Sequence, residues 1–288
     1  MKRVLLLNTK AGRGKKRIEA IRNHALELGI KKSNIHVVKN PEYLNRHLRK
    51  VLDQDPDILY IGGGDGTIIR TIDYCRNNAF MGAYAIIPLG TSNYVARNLK
   101  IELNPLKSLD LEEKTPKRVY FAECNEQLFS LFASVGAVSR IAEKVTVGDK
   151  QRFGQVAYIH TAMRQIRRQR SFIYKMTIDG ETYEGETLQI MINNANLAEQ
   201  IPLSPNSSLS TDRLKVVLYE TKKPWMLLVM LAIYILTLGT REVGMRVYDT
   251  DEVLIETEQP EPVNLDGEKG PTTPVQIKIL KKPIRIYC

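Results

Sequence analysis

The sequence predicts an α/β amino-terminal domain, a parallel sheet with flanking helices, followed by a domain dominated by antiparallel β-sheet. Three observations predict it. The first hundred residues alternate short apolar runs with segments of helical periodicity, a βαβαβ rhythm that implies parallel strands. After Leu99 the chain passes Pro105 and a charged stretch, Asp110 to Lys117, that contains Pro116, which marks a boundary near residue 118. The remainder is mostly strand-like, and strands that follow one another without intervening helices pair antiparallel.

In order, Val4–Leu7 is the first apolar run, and helical periodicity follows over Gly14–Leu28. Ile35–Val38 is a second run, Pro41–Leu52 a second helical stretch, and Ile58–Ile61 a third run that ends in glycines. Helices are then expected over Ile68–Arg76 and Tyr94–Leu99, with a strand at Ala85–Ile87 between them. Beyond the boundary, strands are expected at Val119–Cys124, Leu128–Ser134, Tyr174–Ile178, Leu188–Asn193, Leu214–Tyr219, Val253–Glu256 and Val275–Leu280. Two helices interrupt them, at about residues 154–170 and at the apolar segment 225–238.

A chain of 288 residues fits two domains at about 150 residues each. Its 43% hydrophobic content excludes disorder as the main state, and 18 Gly and 13 Pro exclude a collagen-like or low-complexity chain. The net charge of +10 calls for an anionic partner, whether nucleic acid, nucleotide or membrane headgroups. Dispersed basic residues without interleaved aromatics argue against nucleic acid. The basic start, Met1 to Arg3, is followed by too short an apolar core for a secretory signal, so a cytoplasmic protein is expected. Cys75, Cys124 and Cys288 are scattered, with no metal-ligand or disulfide spacing. His24, His36, His47 and His160 carry no telling neighbours and are assigned no chemistry.

Three motifs carry the chemistry. Ile58–Ile61 runs into Gly62-Gly63-Gly64-Asp65-Gly66-Thr67 and a helix. Glycines let backbone approach a phosphate, and a helix start offers N–H groups at its positive end. A left-handed turn is the plain alternative, and Gly64 is expected at positive φ. The second loop, Pro88-Leu89-Gly90-Thr91-Ser92-Asn93, places hydroxyl and amide groups before a helix, as either a cap or a ligand site. The third motif is Asp266-Gly267-Glu268, which alone reads as a hairpin turn.

Together, in this order, these pieces resemble the bacterial diacylglycerol kinase-like lipid kinase family, whose relatives include sphingosine and ceramide kinases. The resemblance spans essentially the whole chain. Asn8-Thr9-Lys10-Ala11-Gly12 is similar to the family's N-P-x-x-G turn, Gly63–Thr67 to its G-G-D-G-T loop, and Pro88–Leu99 to its P-x-G-T-x-N segment. Phe153–Tyr158 entering an arginine-rich helix, and the late D-G-E, complete it. Four departures stand out: Thr9 for Pro, Tyr94 and Asn206 where Asp is common, and Arg213 for Gly in Asp212-Arg213-Leu214. The family's glycine-rich stretch has also become Asn194–Leu203.

The resemblance implies a nucleotide-binding domain over residues 1–118, to which residues 282–288 return, and an acceptor domain over 119–281. It implies an ATP- and Mg²⁺-dependent lipid kinase, with diacylglycerol as the acceptor. ATP would contact Asn8, Thr9, Lys10, Ala11, Gly12, Asn40, Gly63, Gly64, Asp65, Gly66, Thr67, Thr91 and Asn93. Asp266 would be the leading proton acceptor, with Glu268 sharing that role or holding metal. Asp65 would orient its loop or hold Mg²⁺. An accessory metal would rest mainly on Asp212, with the Leu209 and Leu214 backbone, since two carboxylates are lost. Arg164, Arg167 and Arg168 on one helix face, and Lys222-Lys223 before the apolar segment, suit an anionic membrane reached peripherally on its inner face. That segment is shorter than the roughly 20 residues of a span. A homodimer is compatible with this reading. The competing readings are an NAD kinase, which shares the glycine loop, and a non-catalytic nucleotide- or lipid-binding protein.

Overall fold

Apolar runs with no polar alternate position suit strands buried on both faces, the situation of a parallel sheet covered by helices. The computed structural model, which describes residues 1–9, 15–144, 165–196, 207–237 and 243–288, has this arrangement in its first unit, Met1–Tyr120 with Lys282–Cys288. Strands β1 (Arg3–Asn8), β2 (Ile35–Val38), β3 (Ile58–Gly63) and β4 (Ala83–Pro88) pair in parallel in the order β2-β1-β3-β4. Every residue of β3 and β4 is buried. The last strand of the chain, β18 (Ile284–Tyr287), continues the sheet parallel to β4, and β5 (Pro116–Val119) closes its edge antiparallel to β18.

Helix α1 (Lys15–Glu27) presents Ile18, Ile21 and Ala25, at i, i+3 and i+7, to Leu5, Leu7, Tyr60 and Ile87 of the sheet. Helix α2 (Leu44–Leu52) follows a 3₁₀ turn at Pro41–Tyr43 and buries Leu44, Leu48 and Val51. Helix α3 (Asp65–Asn77) begins three residues earlier than the periodicity suggests, so that Asp65-Gly66-Thr67 forms its first turn. Helix α4 (Tyr94–Asn98) is a short helix after the second loop.

The second unit, Phe121–Lys281, holds two six-stranded antiparallel sheets. One contains β6 (Ala122–Cys124), β7 (Gln127–Phe129), β9 (Phe172–Ile178), β10 (Glu181–Thr187), β14 (Glu252–Thr257) and β17 (Val275–Ile279). Its strand β9 alternates, with Phe172, Tyr174, Met176 and Ile178 buried and Ile173 and Lys175 exposed, the period of a sheet covered on one face. The other contains β8 (Phe132–Gly136), β11 (Gln189–Asn193), β12 (Leu214–Tyr219), β13 (Met245–Thr250), β15 (Pro262–Leu265) and β16 (Glu268–Thr272). Every residue of β8 and β11 is buried.

Helices α5 (Ala137–Lys144) and α6 (Pro224–Leu236) belong to this unit. The expected strand Val119–Cys124 is two strands, one in each unit, and Leu128–Ser134 is likewise split at Ser130-Leu131. Most of the helix expected at residues 154–170 lies outside the described residues.

Candidate functional site

The carboxyl ends of parallel strands, where ligands of open α/β sheets bind, bring the first two motifs together. Gly64 is the cap residue of α3, with φ −89°. The expected left-handed turn is therefore absent, and close approach is what requires glycine here. A Cβ on Gly90 would lie 2.7 Å from the Gly64 Cα and 2.9 Å from Asn93 Oδ1, and a Cβ on Gly63 would strike Thr67 at 2.6 Å. The two loops thus touch backbone to backbone, and Leu89 N–H donates to the Gly63 carbonyl at 2.9 Å.

Side chains lock this contact. Asn93, left-handed at φ 49°, accepts from Gly90 N–H at 2.8 Å and donates to the Gly90 carbonyl at 3.0 Å. Its side chain closes the loop and does not cap α4. That cap comes from Asp65, whose Oδ1 accepts the Val95 N–H at 2.9 Å. The structure therefore displays Asp65 as a brace between loops. At the end of β1, buried Asn8 donates to Thr67 Oγ1 at 2.9 Å. Thr9 donates through both its N–H and its hydroxyl to the Val38 carbonyl. Gly66 and Thr91 are exposed at the helix start and in the second loop. Asn40 is engaged locally, accepting from Glu42 N–H at 3.2 Å and donating to the Glu42 carboxylate at 3.1 Å. Lys10, Ala11 and Gly12 lie outside the described residues.

In the second unit, Asp266 and Gly267 join β15 to β16 with φ of 53° and 92°, the positive pair that a two-residue type I′ hairpin demands. The hairpin reading of Asp-Gly therefore holds, and the turn does more. The Asp266 carboxyl points inward and accepts four hydrogen bonds: Ser130 N–H at 2.6 Å, Ser130 Oγ at 2.7 Å, Leu131 N–H at 2.7 Å and Phe132 N–H at 3.0 Å. Burial pushes its pKa above the ordinary carboxylate value, and the four donors offset that only in part. Three consecutive N–H groups turned toward one carboxylate cannot also serve a β-ladder, which is why the apolar run 128–134 breaks into two strands. Sequence reasoning missed Ser130, and the serine interrupting that run is the one visible signal. Glu268, two residues on, is exposed.

The accessory metal site finds little to build on. Asp212 is exposed, and Leu209, three residues before it, is buried. Arg213 turns a guanidinium to Asp249, donating to Oδ1 at 3.0 Å and to its carbonyl at 2.6 Å. Leu214 pairs with Thr250 in the β12–β13 ladder. Among the described residues no three His, Cys, Asp or Glu side chains are grouped to hold a metal. Asn206 lies outside the described residues.

Comparison with known proteins bears on the family and the fold. Residues 2–124 match the diacylglycerol kinase catalytic domain, and residues 132–288, more than half the chain, match the YegS C-terminal NAD kinase beta sandwich-like domain. Similar proteins include one named "Putative lipid kinase" in Staphylococcus carnosus, 25% identical over 234 residues, which are 80% of this chain and 76% of that protein. A namesake in Staphylococcus aureus strain bovine RF122 is 25% identical over 236 residues, 81% and 77% of the two chains. A crystal structure titled "a putative diacylglycerol kinase" from Bacillus anthracis superposes with a TM-score of 0.80 at 25% identity, covering 99% of this chain and 96% of its own. With both halves of the chain matched, it belongs to the bacterial diacylglycerol kinase-like lipid kinase family.

Proposed function

We propose that the protein transfers the γ-phosphoryl group of ATP to a hydroxyl of a membrane lipid, diacylglycerol being the acceptor. The observation that carries this reading is the braced pair of loops at the sheet's carboxyl edge. At the start of α3 the Thr67 N–H already donates to the Gly64 carbonyl at 2.9 Å, which leaves the Asp65 and Gly66 N–H groups to suit phosphate. Asp65, Asn93 and the Gly64–Gly90 approach hold them in place before any ligand arrives. Such preorganisation is what phosphoryl transfer asks of a protein, since positioning and charge neutralisation supply most of the rate.

ATP supplies the phosphoryl group, with ADP as the leaving group. Mg²⁺ would accompany it, since that ion takes one or two carboxylates together with phosphate oxygens and water. Asp65 can contribute a carboxylate there while its Oδ1 holds Val95. The accessory metal is not part of this reading, because among the described residues no three His, Cys, Asp or Glu side chains gather to hold one at Asp212.

Proton transfer belongs to the D-G-E turn. When the lipid hydroxyl oxygen attacks the γ-phosphorus and the bond to ADP breaks, the hydroxyl proton needs an acceptor. Asp266 spends both oxygens on the Ser130–Phe132 backbone, so we assign it to positioning and give the acceptor role to exposed Glu268. The resemblance alone favoured Asp266.

An acceptor panel tests the function. Wild-type protein is incubated with γ-labelled ATP and Mg²⁺ and offered diacylglycerol in vesicles, other hydroxyl-bearing lipids, or NAD. Label is expected in a lipid phosphomonoester. Label in NAD alone would establish the soluble-kinase reading, and ATP binding without label in any acceptor would establish the non-catalytic one.

A further inference from the structure

Helix α6 carries no charged residue from Pro224 to Leu236, and a helix apolar all round needs cover on every side. Among the described residues the second unit covers one side of it: Leu227, Met230 and Tyr234 are 1%, 5% and 5% exposed. On the other side Trp225, Val229 and Leu236 are 57%, 47% and 82% exposed, and Ala232 is exposed with them. Their spacings of four, three and four residues put all four on one helical face. Scattered exposed apolar side chains are ordinary, but a continuous stripe of them on one element marks an interaction surface.

What covers the stripe can be argued from charge. Lys222 and Lys223 stand exposed at the head of the helix, where the helix dipole is also positive. Lys222 shares its charge with Glu186, Nζ to Oε2 at 2.5 Å. The chain carries a net charge of +10, which opposes association with a second copy and favours an anionic surface. Thirteen residues rise about 20 Å as a helix, short of the roughly 30 Å hydrocarbon core. Among the described residues no helix is long and apolar enough to cross a membrane. An apolar stripe with a basic head and an interfacial aromatic is the make-up of a helix lying in the headgroup plane.

We infer that α6 is the membrane-docking element, inserting Trp225, Val229, Ala232 and Leu236 at the headgroup–acyl boundary, with Lys222 and Lys223 on anionic headgroups. This deepens the proposed function and rests on it for the purpose of docking, although the surface can be tested without catalysis. Trp225 is the only tryptophan of the chain, so its fluorescence reports this face and nothing else.

The protein is titrated with vesicles of phosphatidylglycerol and phosphatidylcholine, with and without brominated acyl chains. The expected result is a blue shift of Trp225 emission and quenching by brominated lipid, weaker on pure phosphatidylcholine and weaker as salt rises. The pair Val229→Glu and Leu236→Glu alters exposed positions, so melting should be unchanged while vesicle affinity falls at least tenfold. Lys222→Gln with Lys223→Gln should weaken binding and flatten its salt dependence. Vesicle binding with Trp225 unquenched, absence of binding at low salt, or a lipid-independent blue shift that grows with protein concentration would each overturn the inference, the last by pointing to a second copy.

Phosphorylation of a short-chain, monomeric diacylglycerol separates the two claims. If that acceptor is phosphorylated but Trp225 never meets lipid, the docking surface fails and the kinase stands. If Trp225 inserts but no lipid is phosphorylated, the docking surface stands and the kinase reading fails.

Discussion

Asp266 shows how a residue named by a motif can work through its neighbours. Replacing it with Asn places an amide NH₂ against backbone donors, and the loss of a charged acceptor of four hydrogen bonds is expected to cost about 2–4 kcal/mol of stability. Asp266→Asn should therefore lower both the melting temperature and turnover. Glu268→Gln should leave melting and ATP affinity intact while turnover falls about 10²–10⁴-fold. Thermal melts, calorimetry with ATP and initial rates on the two variants check this division, and retained turnover in Glu268→Gln would return the acceptor role to Asp266. Gly90 gives a second case. An added methyl would meet the Gly64 Cα at 2.7 Å, so Gly90→Ala should spread the two loops and weaken ATP binding tenfold or more at a cost of about 1–3 kcal/mol. Unchanged ATP affinity would place the phosphates elsewhere. The glycines were legible in the sequence as a close-packed loop, but the reason for Gly64 was not. Positive φ is a local property that a sequence suggests, whereas the approach of a loop some 25 residues away in sequence shows only in three dimensions.

Elements were legible where burial imposes a period. Strands β1, β3 and β4 are continuous apolar runs because both faces are covered, and β9 and β14 show their one-sided alternation. Strands β10 and β16, with sequences ETYEGET and EKGPT, were missed because Thr187 is the one buried residue among the two and they leave no apolar trace. The break between β7 and β8 was invisible for the opposite reason: Leu128 to Ser134 is apolar enough for one strand, and only the distant Asp266 interrupts it. Helix α2 and strand β2 carry a titratable pair that the sequence did not flag. His36 and His47 meet edge to face with ring centres 6.3 Å apart, and Gln54 bonds His36 at 2.9 Å. Burial lowers both pKa values first of all, with His47 and Lys50 adding for His36 and Lys50 and Arg46 for His47. A lowered folded-state value means that the unfolded chain binds protons first as the pH falls. Stability should then be full above about pH 6.5 and decline below it. Melting curves from pH 7.5 to 5 should show that loss, and His36→Gln with His47→Gln should flatten it. An unchanged slope in the double variant would place the acid sensitivity elsewhere.

At the scale of the whole molecule, the first unit is completed by the last residues of the chain. Strand β18 lies between β4 and β5, with Ile286 fully buried, so removing residues 282–288 leaves β5 with no partner in that sheet. The truncated protein is expected to melt at least about 5 °C lower, and an unchanged melting temperature would show that β18 contributes little. The two-part architecture was legible from the change in apolar periodicity near residue 118, and the family from motifs of particular residues in a particular order. The exposed face of α6 was only half legible: composition marked the segment as apolar, but which side is covered depends on the residues packed against it. The central claim is phosphoryl transfer to a lipid, and the most direct measurement follows label from γ-labelled ATP into diacylglycerol vesicles, wild type beside Glu268→Gln at matched ATP occupancy. The account predicts a labelled phosphomonoester lipid from the wild type and at least a hundredfold slower labelling from the variant. Unlabelled lipid from a wild-type protein shown to bind ATP, or equal rates from the two proteins, would contradict it.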